Sequence, residues 1–438
     1  MTISRRSFLA ATGAASVAAA GTGLLTACSG TAQSSTGADG APGSLEVFSW
    51  WTAGGEKDAL MSLVDDFHRS NPNISFVNRA VTGGAGDAAK KLLAQRLAAK
   101  NPPDTFQAQA GAMVGDYITA GQLEDLTFLY RQHGWDKSFN QQVLKLIQRD
   151  GKYYSVPVDI HHINVLWSNT PICRRLGISS APKDIPEFLG NLHTVQKAGL
   201  IPLAVSRDPG QEWQVKHIME TVLVGTLKAD GWAALWRGGG DWNSAAVTRA
   251  LQYFHQVMAF APGTGGAMSW DQVSAQVGTG KAAYQIMGDW TEASFTVTLG
   301  LQPHTEYDWA PTPGTQGVFL FASDCFTLPV GARDRDATIA WLTECGSQSG
   351  QDAFTTVKGA IPPRADVGAD ERTLFDPYLQ WSLDEWKQNT VAGSLTHGVV
   401  ASGAWNAAVD AAVTAYLGDS DVNRLQQGLV AAARQYAV

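Results

Sequence analysis

Two adjacent tryptophans and two glutamines stand where predicted strands end, and together they could bind a ligand that has both apolar faces and hydroxyl groups. Trp50 and Trp51 end the strand-like run 45–51, and Gln107 and Gln109 lie in the third such run. An indole ring matches the apolar C–H face of a sugar ring. An amide both donates to and accepts from hydroxyl groups. These residue types therefore predict carbohydrate binding.

Three carboxylates could complete such a site or give it a different chemistry. Glu56 lies at a predicted helix start, Asp289 follows an apolar run, and Asp324 lies inside the strand-like run 319–328. A buried acid such as Asp324 needs a partner or a ligand. A pair of these acids about 5–9.5 Å apart would suit a secreted glycoside hydrolase. No nucleophile or acid/base motif accompanies them, so we predict binding without catalysis, with no cofactor, and keep the hydrolase as the alternative.

The elements that must position these residues form an α/β pattern. Apolar residues at 60, 63, 64 and 67 have helical spacing, and the segment 45–109 alternates strand, helix, strand, helix, strand. This order predicts a parallel sheet with helices on both faces. Ligands bind beyond the carboxyl ends of such strands, so Trp50 and Gln109 should share one rim. Neighbouring residues on a strand point to opposite faces, which leaves Trp51 open to a core position.

Composition limits the classes of function. The chain has 438 residues, enough for two domains, 15 tryptophans and a formal net charge of −8. A dense basic surface is required for phosphate contacts, so nucleic acid binding is not expected. The abundance of tryptophan in an acidic chain also suits carbohydrate contact.

The N-terminal segment has the pattern of an export signal. Arg5 and Arg6 precede the uncharged apolar stretch 10–25, which resembles a twin-arginine signal. The run that ends at Cys28 resembles a lipoprotein cleavage box, and it predicts acyl chains on this cysteine at the outer face of the cytoplasmic membrane. The alternative is a plain signal peptide with an incidental cysteine.

The other three cysteines leave two alternatives open. Cys325 and Cys345 could form a disulfide in an oxidising compartment, or both could be buried free thiols together with Cys173. No Cys-x-x-Cys or His/Cys ligand spacing occurs, so we expect no metal site.

Eight short motifs occur in order along almost the whole chain after the leader: Val47–Glu56, Pro102–Gln107, Ser155–His161, Gly280–Trp290, Pro313–Gly317, Ser323–Phe326, Lys358–Gly359 and Gly393–Gly398. The set resembles extracellular solute-binding protein family 1, in particular glucose/mannose-type lipoproteins of ABC sugar importers. The resemblance implies an α/β, two-lobe periplasmic-binding-protein-like fold with the ligand cleft between lobes joined by a multi-segment hinge. The implied segments are the export signal 1–27, a flexible tether 28–44, lobe 1 at 45–155 plus 291–355, and lobe 2 at 156–290 plus 356–438.

The resemblance also implies a ligand set and a role. The chain would capture a glucose-like monosaccharide or short oligosaccharide by hinge closure and deliver it, as a monomer, to a membrane permease. A sugar sensor of a signalling system is the alternative with the same fold. Gln109 departs from the family, since some relatives have His there. The implied sugar-binding residues are Trp50, Trp51, Glu56, Gln107, Gln109, Asp116, His161, Trp270, Asp289, Trp290, Asp324, Lys358 and His397.

Overall fold

The structure, a computed structural model, describes residues 43–52, 54–82, 86–238, 240–263, 266 and 268–437. The predicted export signal, Cys28 and almost all of the predicted tether lie outside these residues. Within the described ranges, no helix combines the length and the apolar character needed to cross a bilayer.

The described residues form strands and helices in an α/β order. The strands are β1 (Ser44–Phe48), β2 (Ser75–Asn78), β3 (Thr105–Gln109), β4 (Gln148–Arg149), β5 (Lys152–Tyr153), β6 (Ser155–Pro157), β7 (His161–His162), β8 (Val165–Asn169), β9 (Ile201–Leu203), β10 (Ala282–Ile286), β11 (Tyr307–Pro311), β12 (Val318–Ala322), β13 (Asp324–Thr327) and β14 (Thr390–Gly393). The helices are α1 (Gly54–Ser70), α2 (Asp87–Ala98), α3 (Ala112–Thr119), α4 (Thr127–His133), α5 (Trp135–Ser138), α6 (Gln141–Leu146), α7 (Thr170–Leu176), α8 (Ile185–Lys197), α9 (Glu212–Leu235), α10 (Ala245–Met258), α11 (Trp270–Gly278), α12 (Trp290–Ala293), α13 (Arg335–Gly346), α14 (Gln348–Lys358), α15 (Ala369–Arg372), α16 (Pro377–Gln388), α17 (Gly403–Asp419) and α18 (Val422–Tyr436). A π-helical turn, Ser294–Thr298, continues α12.

The first sheet has the strand order β2-β1-β3-β13-β6. Strands β1, β2 and β3 are parallel, which confirms the arrangement predicted from the alternation of strands and helices. Strand β13 enters antiparallel between β3 and β6, and its register places Asp324 opposite Gln109. A carboxylate from a distant part of the chain thus arrives at the rim where β1 and β3 end.

Apolar side chains cover both faces of this sheet because residues alternate along each strand. Val47 packs on one face with Trp51 and α1, and Phe48 packs on the other with Phe106 and α2. The apolar residues that predicted α1 are all buried: Leu60, Leu63, Val64 and Phe67.

Three further sheets contain the remaining strands of the described chain, and the smallest is the antiparallel pair β4-β5. Of the larger two, one has the order β11-β8-β10-β9 and the other β14-β12-β7. Strands β11 and β12 therefore pair outside the first sheet, although the sequence analysis placed 291–355 in lobe 1. The lobe boundaries themselves stay a prediction.

The structure does not contain the disulfide considered for Cys325 and Cys345. Both are buried free thiols, as is Cys173. Cys325 points into the α2 side of the first sheet with Phe106, whereas Cys345 packs on the α1 side. The sheet therefore separates the two sulfur atoms, and the alternative of three buried thiols is the one observed.

A strained residue interrupts helix α9. Lys228 is exposed and has φ 59° and ψ 177°, a region that essentially only glycine occupies at low cost. Such strain costs about 1–3 kcal/mol. We expect Lys228→Gly to raise the free energy of unfolding by about 1 kcal/mol in urea titrations, after the extra chain entropy of glycine is subtracted. Lys228→Ala is the control, since it removes the same side chain and keeps the strain. A glycine variant no more stable than the alanine variant would contradict this expectation.

Candidate functional site

A cavity of about 250 Å³ lies at the rim where β1 and β3 end. Its walls come from the β1–α1 connection, the end of β3, the turn after β14, and the starts of β7, α9, α11, α12 and β13. The lining residues are Trp50, Thr52, Glu56, Thr82, Gln109, His161, Gln211, Trp213, Ser269, Trp270, Asp271, Trp290, Asp324 and His397. The structure thus brings together eight predicted residues: Trp50, Glu56, Gln109, His161, Trp270, Trp290, Asp324 and His397.

Aromatic rings form much of the cavity wall. The Trp290 ring centroid lies 5.0 Å from that of His397 and 5.3 Å from that of His161, both edge to face. The rings of Trp213 and Trp270 each lie 6.4 Å from Trp290. Indole faces around a cavity offer flat apolar surface of the kind that stacks on sugar rings.

Trp50 is held at the cavity by close backbone contact. Gly86, with φ 80°, packs against the indole so tightly that a Cβ atom there would lie 2.7 Å from the ring. The ammonium group of Lys90 lies 5.4 Å from the ring centroid of Trp50. Only glycine fits both the backbone conformation and the space at position 86.

A buried histidine joins three carboxylates on one side of the cavity. His161 Nδ1 contacts Asp289, and Nε2 lies 3.2 Å from Asp324 Oδ2 and 3.1 Å from Asp159 Oδ2. Burial lowers the pKa of His161, but the Asp159 and Asp289 carboxylates outweigh it and raise the pKa well above its ordinary value. The side chain is therefore an imidazolium that holds Asp324 in place. The backbone N–H of Asp324 also donates to Asp159 Oδ1 at 2.7 Å.

A second charged pair lies beside this cluster. Lys358, almost fully buried, donates to Glu56 Oε1 at 2.9 Å. Burial lowers the pKa of Lys358, but the carboxylates of Glu56, Asp324 and Asp159 raise it above the ordinary value. Gln107 donates to Asp324 Oδ1 at 3.1 Å. Gln107, Lys358 and Asp289 do not line the cavity; they orient the carboxylates and the imidazolium that do.

Several polar atoms of the wall have no protein partner. Gln109 Oε1, His397 Nε2 and Trp213 Nε1 are buried without a hydrogen bond. Burial, followed by the nearby His217 and His161, lowers the pKa of His397 well below its ordinary value, so its ring is neutral. Buried polar groups are normally satisfied. A ligand that carries several hydroxyl groups would give all three atoms a partner.

Two clusters among the described residues have metal-ligand types within reach of one another. In the first, formed by Asp159, His161 and Asp324, the imidazolium already occupies the place of a cation between the carboxylates. In the second, Glu220 accepts hydrogen bonds from the 394–396 turn, and His217 Nε2 pairs with a backbone carbonyl oxygen. Contacts within the protein thus account for the first cluster, and for Glu220 and His217 Nε2 in the second.

Two predicted residues lie apart from the cavity. Trp51 is fully buried in the core against Phe326 and Phe354, with ring centroids 5.8 and 5.0 Å away. Asp116 is exposed, and its Oδ2 accepts a hydrogen bond from the backbone N–H of Gly403 at 2.8 Å.

Sequence reasoning missed six lining residues: Thr52, Thr82, Gln211, Trp213, Ser269 and Asp271. Ser269 and Gln272 form a capping box at the start of α11. The spacing of Ser269 and Gln272 is a recognisable helix-start signal, and it could have placed Ser269 and Asp271 beside Trp270. Trp213 carries no comparable signal.

Comparisons with known proteins agree on one family. The profile described as bacterial extracellular solute-binding protein matches residues 62–380. An uncharacterized ABC transporter extracellular-binding protein of Pyrococcus horikoshii is 30% identical over 89% of this chain and 87% of its own length. A probable sugar-binding periplasmic protein of Mesorhizobium japonicum is 31% identical over 81% of this chain and 84% of its own.

A solved structure confirms the fold. The chain matches a bacterial solute receptor, described as preferring β-D-galactopyranose exclusively, with a TM-score of 0.78 and 16% identity. The match covers 90% of this chain and 98% of that one. The two-lobe α/β fold implied by the resemblance is therefore the fold of this chain.

Proposed function

Because the chain belongs to the bacterial extracellular solute-binding proteins, we propose that it is the sugar receptor of an ABC importer. The single observation that carries this proposal is the cavity itself, where indole rings surround carboxylates, an imidazolium and unpartnered polar atoms. Relatives named as sugar-binding periplasmic proteins support the same ligand class. We propose a neutral glucose-like saccharide, which the protein binds and releases unchanged.

Binding would couple the ligand to closure of the two lobes. Trp50, Glu56 and Gln109 come from the segment predicted as lobe 1, whereas Trp270 and His397 come from segments predicted as lobe 2. A ligand that touches both sets stabilises the closed form over the open one. The closed form would be the one that a membrane permease recognises. Acyl chains on Cys28 would keep the receptor near that permease and raise its effective concentration.

The charge of the cavity favours a neutral ligand over an anionic one. Glu56, Asp271 and Asp324 line it, against one lining cation, His161. Each carboxylate can accept a hydrogen bond from a sugar hydroxyl, worth about 1.5–3 kcal/mol. A carboxylate or phosphate on the sugar would instead face like charges.

A thermal-shift panel tests the proposal. We expect a neutral hexose or pentose of the panel to raise the melting temperature, because a ligand at 100 times its Kd adds about 2.7 kcal/mol to the stability of the folded state. Glucuronate should give a much smaller shift than glucose. Trp270→Ala should abolish the shift, while Trp381→Ala, which alters a half-buried tryptophan outside the cavity, should retain it. A panel with no shift for any saccharide would refute the proposal.

The hydrolase alternative fits the site less well. Of its three candidate acids, Asp289 lies behind His161 and does not reach the cavity. Glu56 already pairs with the ammonium of Lys358 at 2.9 Å, and Asp324 lies 3.2 Å from the imidazolium of His161. A glycosidase needs one protonated acid. Turnover of a chromogenic glycoside would revive this alternative.

A further inference from the structure

A second cavity, of about 550 Å³, adjoins the first one. Its walls come from α2 and α3 in the segment predicted as lobe 1 and from α9, α17 and the 396–401 segment in that predicted as lobe 2. Trp213 lines both cavities. The two cavities therefore share one wall residue, and the second is lined by segments of both predicted lobes.

The position of Trp213 suits a residue that contacts two parts of one ligand. Its side chain is only 5% exposed, and its ring centroid lies 6.3 Å from that of His397 and 6.4 Å from that of Trp290. Its Nε1–H is buried and has no hydrogen-bond partner. A buried indole N–H usually finds a partner, and a ligand acceptor at the junction of the cavities would supply one.

The charges of the second cavity balance. Its charged lining residues are Lys90, Lys91, Lys216, Asp116, Glu212 and Asp410. Lys216 is buried and pairs with Asp410 and with Asn406 Oδ1. A wall of balanced donors and acceptors beside Met113 and Trp213 suits a neutral ligand with hydroxyl groups and apolar faces.

The volumes of the two cavities also favour a ligand that occupies both. Pockets for small molecules usually measure about 300–1,000 Å³. The first cavity, at about 250 Å³, falls below this range, whereas the second adds about 550 Å³. A ligand that used only the first cavity would leave the larger space and the Trp213 N–H unused.

We infer that the receptor takes a linear saccharide of two or more rings, with one ring in the first cavity and the next ring beyond Trp213 in the second. This inference rests on the proposed sugar-receptor function and adds the length of the ligand. Hydrogen bonds to the second ring should improve affinity about tenfold over the monosaccharide, which corresponds to about 1.4 kcal/mol.

Calorimetric titration of a length series tests the inference. The probes are glucose, xylose and galactose with their disaccharides and trisaccharides, in α and β linkage. Ala407→Trp fills the second cavity from an exposed position of α17. We expect the wild type to bind at least one disaccharide or trisaccharide about tenfold more tightly than its monosaccharide. Ala407→Trp should remove this gain and leave monosaccharide affinity unchanged.

A matched control separates cavity filling from a general effect of a bulky residue on α17. Ala404→Trp places the same side chain at an exposed position of that helix that lines neither cavity, and it should keep the gain. If every oligosaccharide binds no better than its monosaccharide, or if Ala407→Trp keeps the gain, the inference is wrong and the sugar-receptor proposal stands. A wild type that binds no saccharide of any length overturns both.

Discussion

Asp324→Asn is expected to weaken binding of the proposed sugar by about 10- to 100-fold. The carboxylate lines the cavity, and its oxygens are held by Gln107 Nε2 at 3.1 Å and His161 Nε2 at 3.2 Å. A hydrogen bond from a sugar hydroxyl to a charged group contributes about 1.5–3 kcal/mol, and 1.4 kcal/mol is a tenfold change in affinity. The amide keeps the shape and loses the charge. Isothermal titration of the sugar that gives the largest thermal shift measures the change.

The same substitution should leave the fold intact. His161 keeps Asp159 and Asp289 as partners, so the imidazolium is not left alone in the interior. Asp308→Asn is the control, because it neutralises a half-buried carboxylate on β11 that does not line the cavity. We expect the control to bind as tightly as the wild type. An Asp324→Asn variant with wild-type affinity would show that this carboxylate does not contact the ligand.

The sequence predicted the first sheet well because its signals are local. Strand and helix alternate within 45–109, so the parallel order and the shared rim of Trp50 and Gln109 follow from chain connectivity. The prediction of one continuous strand over 319–328 was wrong. The segment divides at Ser323 into β12 and β13, which belong to different sheets. Ser323 Oγ donates to the carbonyl oxygen of Asp159 at 2.6 Å, a contact between segments far apart in sequence.

The sequence identified site residues that lie in a recognisable motif. It did not identify residues that only the packing of strands and helices brings to the cavity. Asp324 reaches the rim because β13 enters antiparallel beside β3, and no pattern within 319–328 indicates that neighbour. Trp213 belongs to the first turn of α9, and only the packing of that helix beside His397 and Trp290 turns it toward the cavity. Asp116 stays a prediction: it does not line the first cavity, it accepts a hydrogen bond from Gly403, and it lines the second cavity.

The adjacent tryptophans Trp50 and Trp51, which follow β1, should have opposite phenotypes. Trp51 is fully buried between Phe326 and Phe354, and Trp51→Ala should lower the free energy of unfolding by about 3–5 kcal/mol, as large aromatic-to-alanine changes in cores do. Trp50 is half-buried and lines the cavity, so Trp50→Ala should cost less than half as much stability and weaken sugar binding instead. Urea unfolding and calorimetric titration of both variants measure the two quantities.

This pair separates a core role from a binding role within one dipeptide. Trp51 packs in the core, whereas the structure assigns the cavity side to Trp50, where Gly86 leaves room for its indole. Trp51→Phe is the control, because it keeps an aromatic ring in the core and should recover most of the lost stability. If Trp51→Ala weakens sugar binding at temperatures where it is fully folded, while Trp50→Ala does not, then the assignment of the two rings is reversed.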